Sequence, residues 1–385
     1  MKNPIKSIKK YSIYSEFGTQ KFYHKLDECF DEIDDTLEPK PDEYLIVCGS
    51  SLTKKLSQDI IKNLPNRNFI REEVKNPTPE AATRVRERIQ KEMHTGKKPL
   101  VLALGGGTPI DIAKSAAGDE GQHVVSIPTQ SSHDGIVSNR VTLTGRKPYS
   151  LQSKPPYAVI LLWDILYKQP PTAVAKGFGD GIAKITSTKD WELSSKYRSY
   201  EWVKEKPYDQ KIAKEVSEGA LKLIETVNEM KEKGKFNPLN PLWKKGVEVL
   251  TYKLIDFGEK MTEVGSSVPC SGSEHLVAHG WNGSKDHGYK VSLGQRLCLK
   301  LYEDHLSKLE LKSSELKKLQ EYLQMPLKIT ELEKTSEQAI KGVIKGVKLG
   351  EGRGRFTILS YLTEEEGIDF NEDFVENYLK KTSLI

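Results

Sequence analysis

The 385 residues are enough for two hydrophobic cores, and 37% hydrophobic against 29% charged residues is a globular composition that excludes a disordered or collagen-like chain. Basic residues number 59 and acidic residues 54, and the lysines are interleaved with glutamates, as in 315-ELKKLQEYL-323, so the concentrated basic face that nucleic acid requires is absent. The longest apolar run, 100-LVLAL-104, is far short of the roughly 18–20 residues of a membrane helix, so no membrane span is expected.

In chain order, the basic N-terminal stretch 1–17 is followed by no apolar segment, so no secretory leader is expected. Residues 43-EYLIVCG-49 read as a buried strand and 52-LTKKLSQDIIKNL-64 as an amphipathic helix; 81-AATRVRERIQKEMHTG-96 is a second helix closing on glycine. A strand over 99–107 runs into glycines, a helix follows over 109–118, and a further strand over 123–129. Strands alternating with helices predict a parallel sheet with helices on both faces. Beyond about residue 170 the pattern changes to apolar residues at three-to-four spacing, predicting helices over 209–234, 243–261, 313–325 and 337–350. The expected architecture is an α/β Rossmann-like domain over 1–170 and an all-α domain over 171–385, with the boundary at the Pro170-Pro171 pair. The four dispersed cysteines, with no C-x-x-C, point to a reducing compartment, and a cytoplasmic protein is expected.

Four segments carry candidate chemistry. In 104-LGGGTPIDIAKSAA-117, Gly105, Gly106 and Gly107 admit close approach of a ligand to the backbone. Thr108 as N-cap, Pro109 at the first helical position and Asp111 at the third would start a helix whose free N–H groups suit a pyrophosphate, although Ile110 stands where the usual dinucleotide fingerprint has glycine. Three of the eight histidines lie in 271-SGSEHLVAHGWNGSKDHG-288. Ser271 and Glu274 have capping-box spacing, His275 and His279 fall one helical turn apart, and His287 returns after a turn containing Gly280, Asn282, Gly283 and Asp286. Such imidazoles with a distant carboxylate suit a divalent metal, though three unconnected histidines fit the spacing equally. Asp180, between Gly179 and Gly181, is the candidate carboxylate, on backbone expected to turn sharply there; a helix N-cap is its alternative reading. The loop 126-SIPTQSSHDGIVSNR-140 follows a strand, where open α/β sheets bind ligands, and offers Thr129, Ser131, Ser132, His133 and Asp134.

Taken together, 105-GGGTPIDIAK-114, 128-PTQSSHDGIVS-138, 179-GDGIAKITSTKDW-191 and 271-SGSEHLVAH-279 with His287-Gly288 resemble the archaeal-type sn-glycerol-1-phosphate dehydrogenases. These belong with dehydroquinate synthase, glycerol dehydrogenase and the iron-type alcohol dehydrogenases, and the resemblance covers roughly residues 40 to 300. It implies an active site between the two domains, NAD or NADP, and one divalent metal, usually zinc, held by Asp180, His275 and His287. It places His279 as a proton-relay residue, Asp134 beside the substrate hydroxyls, and Gly105, Gly106, Gly107, Asp111, Thr129, Ser132 and Ser138 around the nucleotide. The implied reaction is reduction of dihydroxyacetone phosphate to sn-glycerol 1-phosphate, a head-group step of archaeal-type lipids, by a homo-oligomer. The chain departs from the family pattern where Val268 replaces an arginine, Cys270 an alanine, Asn139 a proline, and Tyr289-Lys290 the usual Glu-Gln. All lie near the substrate end, where Lys290 and Lys189 are the cations offered for a phosphate. The alternatives are a dehydroquinate-synthase-like cyclase that also uses NAD and a metal, and a binding protein that keeps the fold without turnover.

Overall fold

The computed structural model describes residues 8–144, 149–197, 207–281, 286–306 and 309–385. It divides into two compact units, Met1–Pro170 and Pro171–Ile385.

The first unit contains the strands β1 (Lys9–Ile13), β2 (Glu43–Cys48), β3 (Phe69–Glu73), β4 (Pro99–Gly105), β5 (Val124–Pro128), β6 (Arg140–Leu143), β7 (Tyr149–Gln152) and β8 (Ala158–Leu162). Between them run α1 (Gln20–Asp34), α2 (Leu52–Asn63), α3 (Pro79–His94) and α4 (Gly107–Asp119), with α5 (Trp163–Tyr167) after β8. Six strands form one parallel sheet in the order β1-β8-β5-β4-β2-β3, while β6 and β7 pair as a separate antiparallel hairpin. Every residue of β2, β4, β5 and β8 is buried, as a sheet covered on both faces requires. Period-2 alternation then sorts their side chains. Ile46, Leu102 and Ile160 pack with Phe22, Leu26 and Phe30 of α1, while Val47, Val101 and Ala103 meet Val85 of α3 and Ile112 and Ala116 of α4.

The chain departs from expectation at the glycines. The strand expected to reach Gly107 ends at Gly105, and α4 begins at Gly107 with Gly106 as its N-cap, two residues earlier than the Thr108 cap. Glycine can occupy the cap because Gly105 takes the positive φ (152°) that turns the chain there. Strands β1, β3, β6, β7 and β8 and helix α1 were also missed; β3, with the sequence FIREE, is an edge strand and half-exposed throughout.

The described residues of the second unit are helical, without a strand. They form α6 (Pro171–Ile182), α7 (Lys184–Tyr197), α8 (Gln210–Lys233), α9 (Trp243–Val264), α10 (Ser273–Gly280), α11 (His287–His305), α12 (Ser313–Tyr322), α13 (Ser336–Gly352), α14 (Ile358–Glu364) and α15 (Glu372–Lys381). A core of Leu276, Trp281, Leu297, Val343, Ile358 and Leu379 joins α10, α11, α13, α14 and α15. Buried Asp190 of α7 ties the same elements through polar contacts, accepting from the Ser273 N–H (2.6 Å), the Tyr302 hydroxyl (2.8 Å) and the Ile358 N–H (2.8 Å). Burial and the neighbouring Glu274 push its pKa up to about 7. All four cysteines are free and buried, and no helix of the described residues is long and apolar enough to cross a membrane.

Candidate active site

Three helices of the second unit bring Asp180, His275 and His287 together. Oδ1 of Asp180 lies 3.3 Å from His275 Nε2 and 3.7 Å from His287 Nε2, and one ligand atom from each residue falls within 4.8 Å of the others. A tetrahedral zinc with bonds of about 2.1 Å would set its ligands about 3.4 Å apart, so the separations fit such an ion. Two imidazoles and one carboxylate are a donor set that suits a divalent cation such as zinc.

Asp180 does not sit on a sharp turn, contrary to expectation. It lies within α6, and its glycine neighbours serve close packing. A Cβ on Gly179 would meet the Gly288 carbonyl oxygen at 2.6 Å, and a Cβ on Gly288 would meet the Lys176 carbonyl oxygen at 2.1 Å. The backbones of α6 and α11 therefore touch, and this contact sets Asp180 opposite His287. Lys176 of α6 reinforces it by pairing with Asp286 at 2.7 Å, and Tyr289 donates to the Thr172 carbonyl at 3.3 Å. The departure at Tyr289 thus serves the helix contact. Of the turn expected between Gly280 and Asp286, residues 282–285 lie outside the described residues.

The carboxylate of Asp180 is fully buried beside the Lys184 ammonium, 3.2 Å from Oδ2. Burial would raise its pKa, but Lys184 and the two histidines outweigh that and hold it well below the usual carboxylate range. It is therefore an anion at neutral pH, ready to bind a cation.

Glu274, expected to cap a helix from Ser271, meets the N-cap one residue later and has a second role. The N-cap is Gly272, and the Glu274 carboxylate accepts from the Gly272 N–H and the Thr186 hydroxyl, both at 2.7 Å. It also lies 2.7 Å from His275 Nδ1. A proton held on Nδ1 leaves the Nε2 lone pair facing Asp180, and a carboxylate behind a ligating imidazole raises its basicity. The signal was present in the sequence, since an acidic residue directly precedes the first histidine, but its capping spacing read more simply. Glu274→Gln is expected to weaken zinc affinity about tenfold, measured against a competing chromophoric chelator. Unchanged affinity would exclude this role.

His279 stands beside the cluster, its ring 6.4 Å from that of His275 and 6.2 Å from that of His287. Burial, with the other two histidines, Arg353 and Arg355, holds its pKa well below the usual imidazole value, so it is neutral. Arg353 Nη1 lies 3.2 Å from His279 Nδ1. An N–H donor at Nδ1 claims that lone pair and places the imidazole proton on Nε2.

In the first unit, Gly105, Gly106 and Gly107 form the expected turn at the end of β4. No side chain caps α4, and its first amides lie at the carboxyl end of a parallel strand, the place where such sheets bind ligands. His133 closes over the turn so tightly that a Cβ on Gly107 would meet its Nε2 at 2.3 Å. Thr129 is buried and its N–H donates to the Gly105 carbonyl at 3.0 Å. Asp111 is engaged within the unit: its Oδ2 accepts from the Thr142 N–H at 3.0 Å and its Oδ1 lies 3.5 Å from Lys114 Nζ. Ser138 is buried, its hydroxyl 3.5 Å from the Arg140 carbonyl, while Ser132 is half-exposed. Asp134 opens a short 3-10 turn. Sequence reasoning missed Lys114, whose buried ammonium donates to the carbonyls of Gly135 (2.7 Å), Ser138 (3.1 Å) and Arg140 (2.6 Å). That lysine fixes the loop carrying Asp134 against α4.

Residues 29–170 match the family model for iron-containing alcohol dehydrogenase. Glycerol-1-phosphate dehydrogenase [NAD(P)+] from Saccharolobus islandicus is 34% identical over 238 residues, a match spanning 61% of this chain and 62% of that protein. The enzymes of that name from Staphylothermus marinus and Sulfurisphaera tokodaii are 32% and 31% identical, covering 69% and 78% of this chain and 70% and 80% of theirs. Among solved structures, a probable glycerol dehydrogenase from Sinorhizobium meliloti aligns with a TM-score of 0.66 at 18% identity, covering 92% of this chain and 93% of that one. An NADH-dependent butanol dehydrogenase from Thermotoga maritima aligns at 0.67 and 17%, covering 97% and 96%. These two show the fold.

Proposed function

The chain belongs to the family of the NAD(P)-linked glycerol-1-phosphate dehydrogenases, and from that premise we propose that it reduces dihydroxyacetone phosphate to sn-glycerol 1-phosphate. The observation that carries the reading is the convergence of Asp180, His275 and His287, with Glu274 set behind His275.

When bound, a divalent cation such as zinc supplies Lewis acidity toward a ketone oxygen and a reduced nicotinamide supplies the hydride. Asp180, His275 and His287 would hold the cation. The buried anion of Asp180 supplies charge, and Glu274 keeps the His275 proton on Nδ1. His279 is neutral and carries its proton on Nε2, so that nitrogen can donate toward the oxygen that becomes a hydroxyl. In the first unit, the Gly105–Gly107 turn and the first amides of α4 would hold the pyrophosphate, and Lys114 keeps Asp134 in place to accept from a substrate hydroxyl.

The test is absorbance at the reduced nicotinamide band with dihydroxyacetone phosphate, using NADH and NADPH in turn, with and without a chelator. Oxidation that stops on chelation, returns with zinc, and yields the sn-1 product is expected. No oxidation of either reduced nicotinamide by dihydroxyacetone phosphate in the zinc-loaded chain would overturn the reading.

A further inference from the structure

Arg353 is the C-cap residue of α13, outside the stretch on which the sequence resemblance rests. Helix α13 brings it to the site because its backbone packs directly on α10: a Cβ on Gly280 would lie 1.9 Å from the Gly342 carbonyl oxygen, and one on Gly346 would lie 2.9 Å from that of Leu276. The guanidinium reaches His279 at 3.2 Å, and that imidazole is itself neutral. Among the described residues no carboxylate pairs with Arg353, whose side chain is exposed. A guanidinium that no described carboxylate pairs, one imidazole away from Asp180, His275 and His287, is an anion site by its chemistry.

The other cations nearby are differently placed. Arg355 donates to the Ser271 carbonyl at 2.6 Å and the Ser267 hydroxyl at 2.7 Å. Lys189 pairs with Glu192 at 3.2 Å, and Lys290 is buried in α11.

We propose that Arg353 receives the phosphate of the substrate and so selects a phosphate monoester over the free polyol or ketone. The inference rests on the functional reading above and deepens it. Guanidinium geometry suits the role: with Nη1 on His279, the planar fork still offers Nε and Nη2 as two parallel N–H donors for two phosphate oxygens, on a side chain that is exposed.

The test uses the full chain in wild type, Arg353→Gln, Arg353→Lys and Lys290→Met. Inorganic phosphate is titrated into each by calorimetry, which needs no turnover, and kcat/KM is measured for dihydroxyacetone phosphate and for dihydroxyacetone. In Arg353→Gln the phosphate dissociation constant is expected to rise between about tenfold and a hundredfold, the usual range for one lost charge-assisted hydrogen bond. The preference for the phosphorylated ketone should fall by a similar factor, and Arg353→Lys should recover part of both. The proposal is overturned if wild type binds no phosphate, if phosphate affinity follows Lys290 instead, or if Arg353→Gln slows both ketones equally, as mere loss of a neighbour to His279 would. Should wild type reduce neither ketone, the functional reading fails, while the phosphate titration still decides the role of Arg353.

Discussion

Replacing Asp180 by asparagine is expected to cut turnover by on the order of a thousandfold, since Lewis-acid polarisation supplies several kcal/mol and each 1.36 kcal/mol is a factor of ten. The amide keeps the shape of the carboxylate and removes its charge from a position with no access to water. Zinc affinity should fall with it. The same change has a second effect, on the metal-free fold. Lys184 is buried 3.2 Å from Asp180, and removing one member of such a pair typically costs about 3–5 kcal/mol because the other charge is left behind. Lys184 can relieve part of this by losing its proton, so about 3 kcal/mol is expected from urea unfolding at pH 7. The pH dependence has a definite sign. The folded-state pKa of Asp180 is depressed, so its contribution is present at neutral pH and disappears as pH falls through that depressed value. An Asp180→Asn chain with wild-type turnover would remove the carboxylate from the chemistry.

Gly288→Ala should be the most damaging small substitution away from the ligands themselves. The new methyl would lie 2.1 Å from the Lys176 carbonyl oxygen and 2.7 Å from its carbon, both backbone atoms that no rotamer change can move. Helices α6 and α11 would have to separate, carrying His287 away from Asp180. Overpacking of this kind costs about 1–3 kcal/mol, and the value here should lie at the upper end because backbone meets backbone. Zinc affinity should drop more than tenfold, since the 3.7 Å separation of the two ligand atoms depends on this contact. Gly352→Ala is the control. It meets nothing within 4 Å and should leave stability unchanged or slightly raised, as alanine is the better helix former. Equal melting temperatures for Gly288→Ala and wild type would show that the helix contact does not hold the site together.

Much of this was legible in the sequence because the signals were local. Buried strands such as 43–48 and 99–105 declare themselves by continuous apolar runs, and the long amphipathic helices by their spacing. The candidate ligands could be named because the histidine-bearing and aspartate-bearing segments resemble a family pattern in order and content. What periodicity could not reveal was decided by tertiary contact. Gly179 and Gly288 look like turn residues in a string of letters, and only the approach of two helices shows why neither can carry a side chain. Asp111, on a helix start beside three glycines, reads as a ligand-facing acid, and spacing could not show that its carboxylate also meets the Thr142 N–H and lies beside Lys114. Glu274 has the spacing of a cap and the position of a histidine's partner, and it serves as both, accepting from the N–H of the N-cap Gly272 and meeting His275 Nδ1. Arg353 is 78 residues from His275 in sequence and belongs to no motif; α13 delivers it.

Anomalous diffraction at the zinc absorption edge, from crystals of the zinc-loaded chain, tests the central claim most directly. The account predicts one strong peak in each chain, about 2.0–2.2 Å from Asp180 Oδ1, His275 Nε2 and His287 Nε2. A peak bound elsewhere, or zinc-saturated crystals with no density among these three atoms, would contradict it.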